Sequence, residues 1–343
     1  MDTAPIRPDE RFDEGRVEAF LRAEMPEAIG DFPLVFEQFP GGKANLTYLA
    51  RAGNTELVLR RPPLGQLAPG AHDMAREFRV LSVLHRSYPK APRAFVLCED
   101  AGIMGAPFFV MERRHGHVVR ESWPPGLEVD DAFRRQVGSN LVDALAELHL
   151  VDHAALGLGD LGRPDGFVER QVAGWSGRWE RAKHRDLPAM EEVARRLAAA
   201  VPAPQAATLL HNDFKLDNTM IDDGGSIVAV FDWDMSTTGD PLVDVGTTLA
   251  YWSGGGLGSF AAADSVVLGD AFGPPDIIER YADATGFDLA GIDWYRALGL
   301  FRIAVIVQQI YIRWVRGQTK DGRFEGLGEL VPPMAEAAIE LLE

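Results

Sequence analysis

The sequence predicts an α+β fold in which a small antiparallel sheet with one key helix precedes a larger, mainly helical part. Three observations predict it. Short apolar and β-branched runs alternate with turn residues early in the chain, apolar residues recur at helical spacing over most of the remainder, and that helical pattern breaks once, between Thr208 and Phe231. With 343 residues the chain can bury a sizeable core, as one large unit or two lobes.

The first ~30 residues form an extension, helical at 14–25. Strand-like runs follow at 34–39, 46–51 and 56–61, separated by the turn-like stretches 40–45 and 52–55. They read as an antiparallel meander that Pro62 and Pro63 terminate. Residues 72–86 then show helical spacing through Met74, Phe78, Leu81 and Leu84, before strand candidates at 94–99 and 107–112. These elements place a first lobe at 1–112, with its sheet over about 33–112, and a helical second lobe at 113–343. The second lobe opens with 131–151, where Phe133, Val137, Leu141, Leu145 and Leu148 repeat on one face and Asp130 or Asp131 caps the start. Further helices are expected at 167–185, 188–200, 241–251, 275–285, 292–316 and 328–342, with short strands at 208–211, 219–221 and 227–231.

Composition narrows the function classes. No charged start followed by an apolar run occurs in 1–31, so no signal peptide is expected and the expected location is cytoplasmic. The single cysteine, Cys98, allows neither an internal disulfide nor a cysteine cluster for zinc. The most apolar stretch, 297–315, is interrupted by Arg302, Gln308, Gln309 and Arg313 and reads as a buried helix, so no membrane partner is expected. The formal charge is −17: residues 1–112 carry 13 Lys and Arg against 16 Asp and Glu, net −3, and residues 113–343 carry 21 against 35, net −14. Nucleic acid is therefore a poor partner. The acidic second part either draws in a cationic substrate or is a solvated surface.

The chemistry is concentrated in the segment Leu209-Leu210-His211-Asn212-Asp213-Phe214-Lys215-Leu216-Asp217-Asn218, followed fourteen residues past Asn218 by Asp232. Phosphoryl transfer needs a carboxylate to orient or receive a hydroxyl proton, and oxygen ligands to hold Mg²⁺ on the phosphates. Asp213 fits the first role, Lys215 can neutralise charge developing on the transferred group, and Asn218 and Asp232 fit the metal. Taken singly, Asp213 is a turn aspartate and Asn218 a loop asparagine; their order and spacing favour chemistry. His211 reads as a structural histidine that holds the loop.

Upstream, Gly41 and Gly42 would let backbone approach phosphates, with Asn45 and Thr47 adding polar groups, although two glycines between strands also make an ordinary hairpin. Period-two alternation puts Arg60 on the strand face of Val58, opposite Leu57, Leu59 and Arg61. Glu77 falls along the apolar stripe of its helix, where a carboxylate needs a partner, and Arg60 is the candidate; the alternative is that Arg76 and Glu77 are surface charges. Asp234 shares the face of Asp232 if that strand continues, where it could add a second metal contact or meet substrate, and is otherwise a solvated loop acid; Asp240 and Asp244 flank a helix start and read as structural.

On these residues, together with 57–63, 76–81, 98–100 and 107–112, the chain resembles the aminoglycoside phosphotransferase family, the small-molecule branch of the protein-kinase-like fold, from about Phe36 to Arg316. Within it, the chain is most similar to the phosphotransferase domains related to those fused to acyl-CoA dehydrogenases. The resemblance implies a bilobal fold with an ATP cleft, the adenine read by backbone near Met111, Glu112 and Arg113. It departs from the family in having arginine at position 60, where lysine is usual, although arginine looks usual in the acyl-CoA-dehydrogenase-like branch. Only seven residues separate Asp232 from Asp240, too few for the long activation segment of a protein kinase. The expected activity is ATP- and Mg²⁺-dependent phosphorylation of a small-molecule hydroxyl. A hydroxyacyl-CoA or hydroxy acid and an aminoglycoside are the competing acceptors, and a non-catalytic nucleotide-binding module is the reading from a different class.

Overall fold

The computed structural model describes residues 2–40, 45–64, 72–120, 122–252, 267–319 and 322–343. The predicted Gly41 and Gly42 lie outside the described residues. The chain divides into two compact units, the first formed by 1–115 with 229–236, the second by 116–228 with 237–343.

In the first unit, β1 (Leu34–Gln38), β2 (Leu46–Ala52), β3 (Thr55–Arg61), β4 (Ala94–Cys98) and β5 (Phe108–Glu112) form one antiparallel sheet in the order β1-β2-β3-β5-β4. Alternation along each strand separates two faces. Leu46, Tyr48, Ala50, Leu57, Leu59, Phe108 and Val110 point into a core closed by the N-terminal extension through Ile6, Val17, Leu21 and Ile29. Val17 and Leu21 come from α1 (Glu14–Glu24), which Asp13 caps by accepting from Arg16 N at 3.1 Å. A short α2 (Pro26–Ile29) follows it. Arg61 is buried in the same core, donating to Glu10 O and the Tyr48 hydroxyl at 2.6 and 2.7 Å and lying over the Phe12 and Tyr48 rings.

The opposite face carries the cross-strand pairs Thr47 with Arg60 and Val58 with Met111. Its helix is α3 (Met74–Leu84), capped by Asp73 and burying Met74, Glu77, Val80, Leu81 and Leu84. A second short helix, α4 (Ala101–Met104), connects β4 to β5. Neither α2 nor α4 is legible in the sequence, because each is a single turn, too short for periodicity to register.

The second unit is built on α5 (Asp131–His149), α6 (Phe167–Ala182), α7 (Pro188–Ala199), α8 (Leu242–Trp252), α9 (Pro274–Thr285), α10 (Ile292–Val315) and α11 (Val331–Glu340). Asp130 caps α5 by accepting from Phe133 N at 2.8 Å. Two glycines let α8 and α10 cross at backbone contact: a Cβ on Gly246 would lie 2.4 Å from the Tyr295 carbonyl, and one on Gly299 would lie 2.6 Å from Gly246 O. By length and composition α10 is long and apolar enough to cross a membrane, and 61% of its apolar window is buried within the protein. Short strands β6 (Thr208–Leu210) and β9 (Thr237–Gly239) pair antiparallel, and β7 (Thr219–Ile221) pairs with β8 (Ile227–Val230).

Candidate functional site

Two polar clusters stand out, one in each unit. In the first unit the sheet face and α3 converge on Arg60. Its Nε donates to Glu77 Oε2 at 2.9 Å, and its Nη2 donates to Asp232 Oδ1. The other Glu77 oxygen accepts from Trp233 N at 3.3 Å. The inward Glu77 expected from its place on the apolar stripe is therefore paired with the strand cation, and the surface-charge alternative fails because its side chain is only 1% exposed. Burial works to lower the Arg60 pKa, but the Glu77 and Asp232 carboxylates outweigh it and hold the guanidinium above its ordinary value. Burial pushes the Glu77 carboxyl up while Arg60 pulls it back. These pressures oppose each other within one pair. The net direction for Glu77 is upward, and Arg60 stays a cation because a guanidinium does not give up its proton.

Asp232 is reached by a change of direction. β8 ends at Val230, and Asp232 adopts φ +66°, a left-handed conformation that aspartate tolerates better than most non-glycine residues. The strand does not continue to Asp234, so the shared face expected for the two aspartates is absent; Asp234 instead lies 3.7 Å from His72. Trp233 is fully buried, donating to Val230 O at 2.8 Å and packing edge-on against Tyr88.

The remaining first-unit candidates fall into two groups. Thr47, Val58 and Met111 share the sheet face of Arg60. Asn45, just before β2, is buried, and neither amide atom has a partner among the described residues. A buried, unsatisfied amide costs about 1–3 kcal/mol, so this corner is suited to a polar ligand. Glu112 and Arg113 make protein contacts instead. Glu112 N donates to Arg93 O at 2.9 Å and Glu112 Oε2 accepts from Arg93 N at 3.1 Å, while the Arg113 guanidinium pairs with Asp2 and lies 4.7 Å from the Phe39 ring centroid.

In the second unit, the loop after β6 carries Asp213, Lys215 and Asn218. Asp213 Oδ2 accepts from Asn218 Nδ2 at 2.9 Å and lies 3.1 Å from Lys215 Nζ. Asn218 Nδ2 also donates to Asp213 O at 2.9 Å. With its nitrogen committed twice, the Asn218 amide is oriented and its oxygen faces away from Asp213. Burial works against the Lys215 charge, yet Tyr251, Asp213 and Asp217 together raise its pKa above the usual lysine value. Asp213 and Lys215 each keep 24% of the side chain exposed.

Helices hold this loop from beneath. The Asp244 carboxylate on α8 accepts from His211 N at 2.7 Å and from Asn212 N at 2.8 Å. Thr248 Oγ1 donates to Phe214 O at 3.0 Å, and Arg302 Nη2 on α10 donates to Asn212 O at 3.0 Å. Asn212 adopts φ +67°, a bend these bonds maintain. Burial alone would raise the Asp244 carboxyl, but His149 at 3.2 Å and the His211 amide overcome it and hold the pKa below the ordinary value. Asp244 is thus a clamp on the loop, whereas Asp240 is the helix-start residue, its Oδ1 accepting from Leu242 N at 3.0 Å. His211 is buried with its Nδ1 3.2 Å from Asp213 N, inside the loop framework.

Tyr251, Thr248, Arg302 and His149 were not legible as parts of this cluster. One signal did exist: Asp244, Thr247, Thr248 and Tyr251 follow i, i+3, i+4, i+7 spacing, a polar stripe on an otherwise apolar helix. Among the described residues there is no cluster of three or more His, Cys, Asp or Glu arranged to hold a metal. The oxygen atoms of Asn218 and Asp232 are hard donors, the type that Mg²⁺ takes in small number alongside water and phosphate.

The sheet-and-helix first unit and the clamped aspartate loop define a phosphotransferase of the kinase-like fold. Residues 35–295 match the model of the phosphotransferase enzyme family, APH, and this chain belongs to that family. It is 33% identical to mouse acyl-CoA dehydrogenase family member 10 over 98% of this chain and 32% of that protein. The chain thus spans about a third of the length of that relative. A solved structure of a candidate aminoglycoside phosphotransferase from Ralstonia eutropha JMP134 superposes with a TM-score of 0.81 at 30% identity, covering 97% of this chain and 98% of the other. The GDP and kanamycin complex of an APH(2") enzyme, at 14% identity and a TM-score of 0.61 over 94% and 98% of the two chains, shares the fold.

Proposed function

We propose that this chain is an ATP- and Mg²⁺-dependent kinase that phosphorylates a hydroxyl of a small molecule. The observation that supports this most directly is Asp213, a partly exposed carboxylate on a loop fixed by Asp244, Thr248 and Arg302, with Lys215 and Asn218 on one of its oxygens. A group that directs an acceptor hydroxyl needs to be accessible on one side and rigid on the other. Asp213 orients the acceptor, and Lys215 offsets charge that builds on the transferred phosphoryl group. Asn218 and Asp232 would hold Mg²⁺, which when bound neutralises phosphate charge. Asn45, Thr47, Val58, Arg60 and Met111, with Gly41 and Gly42, are the proposed nucleotide contacts; Glu77 positions Arg60. Glu112 and Arg113 contribute backbone at most, since their side chains are engaged elsewhere. The proposed boundary between the two lobes is the 112–113 link.

Two acceptor classes are supported by different observations. Similarity to acyl-CoA dehydrogenase family members favours a hydroxyacyl-CoA or hydroxy acid. The net charge of −14 over 113–343 favours a polycation such as an aminoglycoside. ADP release from Mg·ATP, measured against aminoglycosides, sugars, choline-like alcohols and hydroxyacyl-CoAs, separates them. Turnover of at least one acceptor that Asp213→Asn abolishes while ATP still binds is the expected result. Equal turnover by that variant rejects the assignment of Asp213, and nucleotide binding without transfer to any acceptor supports a non-catalytic module instead.

A further inference from the structure

Tyr251 stands at the last turn of α8, and its hydroxyl donates to Asp213 Oδ1 at 2.9 Å. The other oxygen, Oδ2, already accepts from Asn218 Nδ2 at 2.9 Å and pairs with Lys215 Nζ at 3.1 Å. An ionised carboxylate oxygen has about two lone-pair sites. Oδ2 is therefore filled, whereas Oδ1 holds one donor and, among the described residues, keeps one site open.

We propose that Tyr251 is a positioning residue that fixes Asp213 Oδ1 as the atom receiving the acceptor's proton. The inference rests on the reading of Asp213 as the group that directs the acceptor hydroxyl. Its physical basis is the distribution of donors. Asn218 and Lys215 grip a single oxygen, which leaves the carboxylate free to swing about that anchor. A third donor on the other oxygen fixes the carboxylate plane and with it the direction of the open lone pair.

Tyr251 is itself well held. The Lys215 ammonium lies 5.1 Å from its ring centroid, close enough for a cation–π contact. Its helix is fixed against α10 by the Gly246 and Gly299 crossing and to the loop by Asp244. Burial and the adjacent carboxylate raise the phenol pKa above the usual tyrosine value, so Tyr251 serves as a donor and keeps its proton throughout. In the transfer, the acceptor oxygen bonds to the γ-phosphorus as the bond from phosphorus to the β-bridging oxygen breaks. That electron pair leaves on ADP, and the acceptor proton passes to Asp213 Oδ1.

Tyr251→Phe keeps the ring and the lysine contact and removes only the hydroxyl. It is compared with the wild type using Mg·ATP and the acceptor from the panel above that the wild type turns over fastest, or water if none is faster. The expected result is a fall in kcat of about 10- to 100-fold, as for a reacting group slightly misdirected. The KM for ATP and the thermal midpoint stay unchanged. Wild-type kcat in Tyr251→Phe overturns the inference alone and leaves the kinase reading standing. A variant that loses nucleotide binding or folds poorly also overturns it, because the contact is then structural. A wild type that releases no ADP with any acceptor or water overturns the kinase reading and this inference together.

Discussion

Arg60 and Arg302 are both buried, 9% and 2% exposed, yet they are held in opposite ways. Arg60 sits between the Glu77 and Asp232 carboxylates, which keep its charge despite burial. Arg302 has no carboxylate within ion-pair reach among the described residues; it donates to Thr247 Oγ1 and Asn212 O, both at 3.0 Å, and lies over the Trp175 ring. Burial there lowers the guanidinium pKa. The first arginine is part of a charge cluster whose Asp232 keeps 28% of its side chain exposed. The second is committed to chain geometry: its fork sets the bend at Asn212, one residue before Asp213. One cation is kept for electrostatics and the other for shape.

Four variants break or sharpen this contrast. The largest effect is expected at the residue that Arg302 helps to place. Asp213→Asn should lower transfer by about a thousand-fold or more while ATP binding, followed by calorimetry, stays near the wild-type value. Next comes Arg60→Ala, which strands Glu77 without its cation and should lower the unfolding free energy in urea by about 3–5 kcal/mol. A loss below about 1 kcal/mol would show that the pair is not what satisfies Glu77. Arg302→Met keeps the volume but leaves Asn212 O and Thr247 Oγ1 short of a donor, a cost of about 1–3 kcal/mol. If Arg302 works through shape, kcat falls with it, whereas an unchanged kcat would separate the bend from the chemistry.

The smallest effect is read from pH. The Asp244 carboxyl is held below its ordinary value of 3.8, so the unfolded chain takes up its proton first as the solution is acidified. Its contribution is fully present above the unfolded value and is lost as pH falls through the lower folded value. The stability gap between wild type and Asp244→Asn should therefore narrow below about pH 4. A gap that stays constant to lower pH would mean that the carboxylate charge is not what holds the loop.

Much of this contrast was legible before the fold was known, and unevenly so. The faces of Arg60 and Glu77 followed from periodicity, since a strand alternates every second residue and a carboxylate on an apolar helical stripe calls for a cation; their pairing also followed the order of a strand cation and a helix glutamate in the kinase template. Arg302 could be seen as a charge within the most apolar segment, but not what it bonds, because Asn212 lies ninety positions away. Asp244 was read as a helix-start residue because Asp before or within a first turn usually is one. Its actual partners, two amides of a distant loop, have no local signature. The two readings of Asp234, strand face or loop, part for a related reason: the strand pattern continues past Val230 in sequence, and the left-handed turn at Asp232 interrupts it in space.

By itself the sequence determined the longer strands and helices, the faces they bury and the candidates for phosphoryl transfer, since these depend on periodicity and on spacing within a few turns of chain. Only the tertiary structure decided how those residues are held. That Asp213 Oδ1 meets Tyr251, 38 positions away, depends on the packing of α8, which crosses α10 at a pair of glycines. Such contacts join groups tens of residues apart, and their geometry is set by packing, which no local pattern encodes.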